Sequence, residues 1–183
     1  MTISELLEAI RAPYVRLLAE SAHRQPAYVE PAYRQASGAL AVDGSLELPC
    51  RADFILREAG SAEPSTVEST SQLQFETVVF TIGSTSVAVS PFVWDWVPVE
   101  VTGLSRESAT QVLKDWFLRW FDGDDQNNET EEGLFGVAHF MSEPESTEQG
   151  IRVTTDLGSA PAEAVEDLMF HMSDAGAKEL RVG

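Results

Sequence analysis

The chain has 183 residues, 43% of them hydrophobic, and its 30 acidic and 12 basic residues leave a formal net charge of −18 at pH 7. This length and apolar content are typical of one folded domain with its own core, so we expect a single domain over residues 1–183 and exclude a wholly disordered chain. The negative charge argues against nucleic acid and against anionic membranes as partners, because their phosphate groups would be repelled.

The first helix is predicted over residues 2–21. Its apolar side chains recur at spacings of three and four, which places them on one face of a helix. Thr2 followed by Glu5 fits a capping box at the N-terminus. Pro13 lies inside the pattern and is expected to kink the helix, since proline lacks a backbone donor.

The loop that follows, residues 23–36, contains the triplet Pro-Ala-Tyr twice. Two aromatic and two basic side chains stand out in it: Tyr28, Tyr33, Arg24 and Arg34. Tyrosine and arginine are enriched at interface hot spots, so these four are the candidate partner-binding residues. The alternative is a structural loop whose tyrosines pack over the sheet.

Residues 38–101 are predicted to be rich in β-structure, with a hairpin turn at Asp43-Gly44. Further strands are predicted by alternating apolar residues, and a small, polar loop lies among them. The strands cover residues 52–58, 73–82 and 87–96, and the loop covers residues 59–70.

The second helix is predicted to begin after the N-cap Ser105 and to end at Asp122-Gly123. Two paired strands follow over 134–141 and 151–157, and a third helix begins near residue 160. The element order is therefore α-β-β-β-β-α-β-β-α, with a last strand at residues 180–182. Consecutive strands favour antiparallel pairing, so we predict an α+β fold in which a mainly antiparallel sheet packs against about three helices.

The acidic loop, residues 122–132, is the candidate cation site. Oxygen-bearing side chains alternate along it as in a calcium-binding loop: Asp122, Asp124, Gln126 and Asn128. The match is incomplete, because Asn127 takes the place of the turn glycine and Gly133 the place of the bidentate glutamate. The alternative is a solvated loop.

Four tryptophans fall within 27 residues: Trp94, Trp96, Trp116 and Trp120. Together with His139 they are the candidate ligand-binding residues, in an aromatic pocket between the sheet and the second helix. The alternative is that the indoles form the core between sheet and helix and that His139 is a hydrogen-bonded interior residue.

The sequence contains no nucleophile elbow, phosphate loop, dinucleotide fingerprint or zinc-protease motif. This absence lowers the expectation of an enzyme and predicts no cofactor, although catalytic residues that converge only in space leave no such motif. Cys50 is the only cysteine, so an intramolecular disulfide is excluded.

The composition favours a non-enzymatic, acidic protein-binding module of the chaperone, adaptor or immunity type that meets a basic partner. The alternative is a small-molecule-binding domain or enzyme that uses the aromatic pocket. The N-terminus lacks the features of a signal peptide, so a cytoplasmic protein is expected, and the scarcity of lysine fits a bacterial origin. A homodimer is compatible with the sequence, since symmetric dimers are the commonest oligomers.

Overall fold

The computed structural model describes residues 1–57, 63–69 and 72–183. In this part of the chain there are three helices: α1 (Ile3–Ala22), α2 (Arg106–Phe121) and α3 (Glu163–Asp174). The strands are β1 (Ala27–Val29), β2 (Val42–Asp43), β3 (Leu48–Pro49), β4 (Phe54–Leu56), β5 (Pro64–Ser65), β6 (Val78–Ile82), β7 (Thr85–Val89), β8 (Val97–Thr102), β9 (Phe140–Met141), β10 (Glu145–Ser146), β11 (Gly150–Asp156) and β12 (Glu179–Val182). The predicted α+β class and element order are confirmed. None of the helices in the described residues combines the length and hydropathy that a membrane span requires.

The helix ends form where the side chains can satisfy free backbone groups. Thr2 and Glu5 form the predicted capping box at the start of α1. Ser105 caps α2 by accepting from the backbone of Ser108, and Asp122 ends α2 in the left-handed conformation. The third helix begins a few residues after the predicted start, without a side-chain cap.

The main sheet has the strand order β10-β11-β8-β12-β7-β6, and β9 pairs with β11 beyond this path. All of its ladders are antiparallel except the pairing of β12 with β7. The C-terminal strand therefore lies between β7 and β8, in the middle of the sheet.

One face of the main sheet is buried beneath the helices. Side chains alternate between buried and partly exposed along β7, β8 and β11, with Val87, Val99 and Val153 directed inward. Helix α3 contacts β6 and β7, while α2 contacts β11 and α3. Apolar burial between these two layers is the main stabilising contribution to such a fold.

A smaller three-stranded sheet, with the order β1-β4-β5, and the short hairpin of β2 and β3 are built from the first part of the chain. Among the described residues, strand β1 is terminal in its sheet and pairs with β4. The predicted strand over 52–58 is shortened to β4, and residue 58 and part of the predicted loop over 59–70 lie outside the described residues. This sheet carries one side of the site described below.

The region around Trp94 differs from the prediction. Trp94 and Asp95 occupy a tight turn that is closed by a bridge between Val93 and Trp96. The strand predicted over residues 87–96 therefore ends with β7 at Val89. The turn reverses the chain before β8 begins at Val97. Trp94 is 1% exposed and Trp96 is 58% exposed, so the two indoles do not share a face.

The packing of α2 yields a direct test of the core. Leu113 is fully buried, whereas Leu118 on the same helix is 38% exposed. We expect Leu113→Ala to lower the free energy of unfolding by about 2–5 kcal/mol, because the deletion leaves a cavity, and Leu118→Ala to lower it by less than about 1 kcal/mol. Urea denaturation of both variants measures the difference, and equal losses would contradict the packing of α2.

Candidate functional site

A cluster of buried charged side chains is centred on His139. Its Nε2 lies 2.7 Å from Glu30 Oε1, and its Nδ1 lies 2.9 Å from Asp53 Oδ1. Burial lowers the pKa of His139, but the hydrogen bonds with Asp53 and Glu30 outweigh it and raise that pKa to about 10. The ring is therefore an imidazolium that donates to both carboxylates at neutral pH. His139 is 1% exposed and hydrogen-bonded through both ring nitrogens, as in the alternative that the sequence left open.

Backbone hydrogen bonds bring the three residues together from distant parts of the chain. Glu30 follows β1, and its amide donates to the carbonyl of Asp53 just before β4. His139 precedes β9, and its amide donates to the carbonyl of Asp156 at the end of β11. The amide of Arg51 donates to the carbonyl of His139. The small sheet and the late strands therefore meet at this cluster.

Glu30 is fully buried, and both of its carboxylate oxygens are used. Oε1 accepts a second hydrogen bond from the amide of Ser159 at 3.1 Å, and Oε2 accepts from the amide of Phe135 at 2.7 Å. Burial raises the pKa of Glu30, but the hydrogen bond with His139 and the others lower it overall, so Glu30 is ionised. Its φ of 47° is rare for a residue with a side chain, and these bonds hold the backbone there.

Further carboxylates surround the imidazolium. Asp156 Oδ2 lies 3.9 Å from His139 Nδ1, and burial raises the pKa of Asp156 to about 6 against the lowering effect of His139. Burial also raises the pKa of Asp95, whose Oδ2 accepts from the amide of Ser69. The positive charge of one imidazolium therefore does not balance the negative charge of the carboxylates around it.

The guanidinium group of Arg51, which lies beside Glu30, is committed to other partners. It donates to the carbonyls of Glu30, Phe121 and Asp122 and to the carboxylate of Asp125, at distances of 2.7 to 2.9 Å. Its carbon also lies 4.6 Å from the centroid of the Phe121 ring, a cation–π contact. Arg51 therefore joins the end of α2 to the segment that carries Glu30.

Gly158 provides the space that the imidazole occupies. A Cβ atom at this position would overlap the His139 ring and lie 2.5 Å from the carbonyl oxygen of Val137. The residue also has a φ of 51°, in the left-handed region that favours glycine. The amide of Gly158 donates to Asp156 Oδ1, which orients that carboxylate toward the cluster.

A cleft of about 600 Å³ lies above the cluster at the surface. Residues of the segment 27–34 line one side, and residues of the segment 122–135 line the other. Two predicted partner-binding residues, Tyr28 and Arg34, and the predicted metal ligand Asp122 meet in this cleft. Glu30 and Arg51 belong both to the cleft and to the buried structure beneath it.

The other predicted partner-binding residues lie apart from the cleft. Arg24 lines a separate, smaller depression beside it. Tyr33 is partly exposed, and its backbone pairs with Cys50 and Ala41, so this residue has a structural role in the loop.

Two of the six carboxylates of the acidic loop are engaged by the protein itself. Asp122 Oδ2 accepts from the amide of Asn127, and Asp125 forms ion pairs with Arg34 and Arg51 at 2.7 and 2.8 Å. The remaining predicted ligands of the loop, Asp124, Gln126 and Asn128, are exposed to solvent. In the described part of the chain, the side chains from the Asp, Glu, His and Cys set that are grouped closely enough to bind a metal are Asp53, His139 and Asp156.

Two of the predicted aromatic pocket residues are buried. Trp116 is 1% exposed and donates from Nε1 to the carbonyl of Ala164, so it lies between α2 and α3. Trp94 is equally buried and stacks against Phe92, with ring centroids 6.2 Å apart. These contacts are typical of core residues.

The other two tryptophans are nearer to the surface. Trp96 stacks on Phe140 with ring centroids 6.3 Å apart, and Trp120 donates from Nε1 to Asp167 at 3.0 Å. The four indoles and His139 therefore lie in different environments.

Sequence reasoning missed most of the cluster. Glu30, Asp53 and Asp156 are three of the 30 acidic residues of the chain. Nothing in their local pattern indicates that Glu30 and Asp53 are buried and Asp156 partly buried. The one signal in the sequence was the position of His139 among apolar residues. Its partners are 109 and 86 residues away along the chain, which no periodicity reveals.

Replacement of Glu30 tests the buried cluster. We expect Glu30→Gln to lower the free energy of unfolding by about 3–5 kcal/mol, because the imidazolium loses its counter-charge and an amide NH₂ faces a backbone donor. Glu129→Gln, in the exposed acidic loop, is the matched control and is expected to change stability by less than about 0.5 kcal/mol. Chemical denaturation measures both, and a Glu30→Gln protein as stable as the wild type would contradict the cluster.

A pair of glycine substitutions separates steric overlap from backbone strain. Gly136 has a φ of 68°, and a Cβ atom added there would meet no other described atom within 4 Å. Gly136→Ala is therefore expected to cost about 1–2 kcal/mol for the left-handed backbone alone. Gly158→Ala is expected to cost about 1–3 kcal/mol more, because the new methyl group meets the His139 ring. Thermal unfolding of the two variants gives the comparison, and a smaller loss for Gly158→Ala would rule out the tight packing.

Comparison with protein-family models, with curated proteins and with solved structures finds no match to this chain, so the function is inferred from the geometry of the cluster and the cleft.

Proposed function

We propose that this protein is a non-enzymatic binding module that receives a basic partner protein in the cleft beside its acidic loop, as a chaperone-, adaptor- or immunity-type protein does. The observation that carries the proposal is the composition and position of residues 122–132. This loop contains six acidic residues and no basic residue, and it forms one wall of the cleft.

Most of the loop carboxylates are available to a partner. Asp125 is neutralised by Arg34 and Arg51. In the part of the chain that the structure describes, the other acidic side chains of the loop form no ion pair; they are Asp122, Asp124, Glu129, Glu131 and Glu132. A concentration of unpaired negative charge at the rim of a cleft attracts lysine and arginine side chains and accelerates their association.

The opposite wall offers contacts of another kind. Tyr28 is 56% exposed, and the guanidinium of Arg57 lies 4.4 Å from its ring centroid. Exposed tyrosines of this type are favoured at interfaces. Tyr28 belongs to β1, the terminal strand of the small sheet, which is suited to pair with an extended peptide. The cleft therefore fits an extended segment that carries basic side chains.

The alternative of an aromatic ligand pocket between the sheet and α2 has less support. Trp116 fills the contact between α2 and α3, and Trp96 lies on the surface. His139 is enclosed by carboxylates and is 1% exposed, which leaves little room for a substrate at the imidazole.

Charge removal in the loop tests the proposal. The triple variant Glu129→Gln/Glu131→Gln/Glu132→Gln removes three exposed carboxylates of the acidic loop, of which Glu129 lines the cleft. We expect it to bind a fluorescent lysine- and arginine-rich peptide about tenfold more weakly than the wild type, because each lost contact contributes a fraction of a kcal/mol. Fluorescence anisotropy at low and high salt measures the affinity, which is expected to fall as salt screens the charges.

The control variant Glu107→Gln/Glu145→Gln/Glu148→Gln removes the same charge from exposed positions outside the cleft lining. We expect its affinity to fall by less than about threefold, since only the diffuse field is weakened. Equal losses in the two triple variants would show attraction to net charge alone and would contradict a site in the cleft. Salt-insensitive binding would contradict it as well.

A further inference from the structure

The buried cluster contains the ligand set of a metal site. One donor atom from each of Asp53, His139 and Asp156 can be chosen so that all three lie within 4.8 Å of one another. Bonds from a divalent transition metal to nitrogen and carboxylate oxygen are about 2.0–2.2 Å long, so small side-chain rotations would bring these atoms into a single coordination sphere. The three residues come from separate segments, just before β4, just before β9 and at the end of β11.

The imidazole is oriented as in established histidine–metal sites. Its Nε2 is held by Glu30 Oε1 at 2.7 Å, so its Nδ1 is directed at the two aspartates. A ligating histidine commonly donates its other ring N–H to a carboxylate, which fixes the tautomer and the ring position. Glu30, anchored by the amides of Ser159 and Phe135, is in the position of that outer carboxylate.

The charge of the cluster also favours a cation. The carboxyl groups of Glu30, Asp53 and Asp156 lie around one imidazole ring. The guanidinium of Arg51 is directed at carbonyl groups and at Asp125. Buried negative charge without a counter-ion is costly. A divalent ion that replaces the Nδ1 proton adds one further positive charge at the centre of these carboxylates.

A buried hydroxyl group that lacks a hydrogen-bond partner in the described part of the chain lies within electrostatic range of the cluster. The hydroxyl of Tyr14 is buried and has no hydrogen-bond partner among the described residues. Burial raises the pKa of Tyr14, and the negative charges of Asp156, Asp53, Asp95 and Glu30 raise it further, so the phenol is within electrostatic range of the cluster. A bound ion, or a water molecule on it, would provide the partner that this hydroxyl lacks.

We propose that Asp53, His139 and Asp156 bind one divalent transition-metal ion, with Glu30 holding the imidazole from the opposite side. One nitrogen and two carboxylate oxygens suit Zn²⁺ or Mn²⁺, whereas Ca²⁺ prefers oxygen ligands alone. The ion joins the small sheet to the end of β11 beneath the cleft, and its role is structural. The site does not depend on the binding of a basic partner, so each of the two proposals is tested separately.

The test uses the full chain, treated with a chelator and dialysed, and titrated with ZnCl₂ or MnCl₂ in a calorimeter. We expect one ion per chain and a rise in the melting temperature of the wild type, because a ligand that binds the native state stabilises it. Asp156→Asn and Asp53→Asn preserve side-chain size and are expected to weaken binding at least about 100-fold, a loss larger than that typical of an outer carboxylate. Circular dichroism of the metal-free variants verifies that they are folded.

Two control variants exclude other sites. His171 lies 3.2 Å from Asp167 on the surface of α3 and is a possible adventitious site, while Cys50 is the one thiol. His171→Ala and Cys50→Ser are expected to bind Zn²⁺ as the wild type does. The proposal is overturned if the folded wild type binds neither Zn²⁺ nor Mn²⁺, if Ca²⁺ binds more tightly than both, or if binding is lost in a control variant and retained in Asp156→Asn.

Discussion

The contact between the His139 imidazolium and the carboxylates of Glu30 and Asp53 organises this molecule. Each of these side chains would be costly to bury alone, because a charge loses its hydration in the interior. Together they satisfy one another, and backbone amides satisfy the remaining lone pairs of Glu30. The arrangement therefore requires four segments of the chain to meet in one geometry, and a partly formed cluster would leave an uncompensated charge. Because these side chains depend on one another for charge compensation, the cluster fixes the positions of the segments that carry them.

The buried cluster positions the walls of the surface cleft. Glu30 has its carboxylate in the cluster, while its carbonyl accepts from Arg51, and Arg51 in turn holds the carbonyls at the end of α2. Asp125 extends the same network into the acidic loop. The two walls of the cleft are thus attached to the same buried groups, so binding of the proposed partner would cost less conformational entropy than binding to free loops. A binding surface built on such a support is more precise than one built on free loops.

The acidic residues are divided between two uses. A small group, with Glu30 and Asp53 as its members of least exposure, is placed inside and is satisfied by the imidazole and by amides. A larger group, concentrated after α2, faces the solvent and produces the negative electrostatic potential of the surface. The first group contributes to the specificity of the fold, and the second is the group that we propose attracts a basic partner. The net charge of −18 reports only their sum.

The amino-acid sequence by itself determined the helices, the α+β class and the order of the elements. Helix α2 was predictable to its last residue because its signals are local: Ser105 at one end, an apolar stripe, and Asp122 with Gly123 at the other. Strand β12 was found for the same reason, although its central place and its parallel pairing with β7 were not.

Only the tertiary structure decided which acids are buried. Glu30, Asp53 and Asp156 have no local signature, since what makes their burial tolerable is an imidazole from a distant part of the chain. The turn at Trp94 was hidden in the same way, because alternating aromatic residues suit a strand and the reversal depends on the bridge between Val93 and Trp96. The periodicity of the sequence indicates which face of a helix or strand is apolar. The partner of a buried charge depends on which distant segments the fold brings together, and no local pattern contains that information.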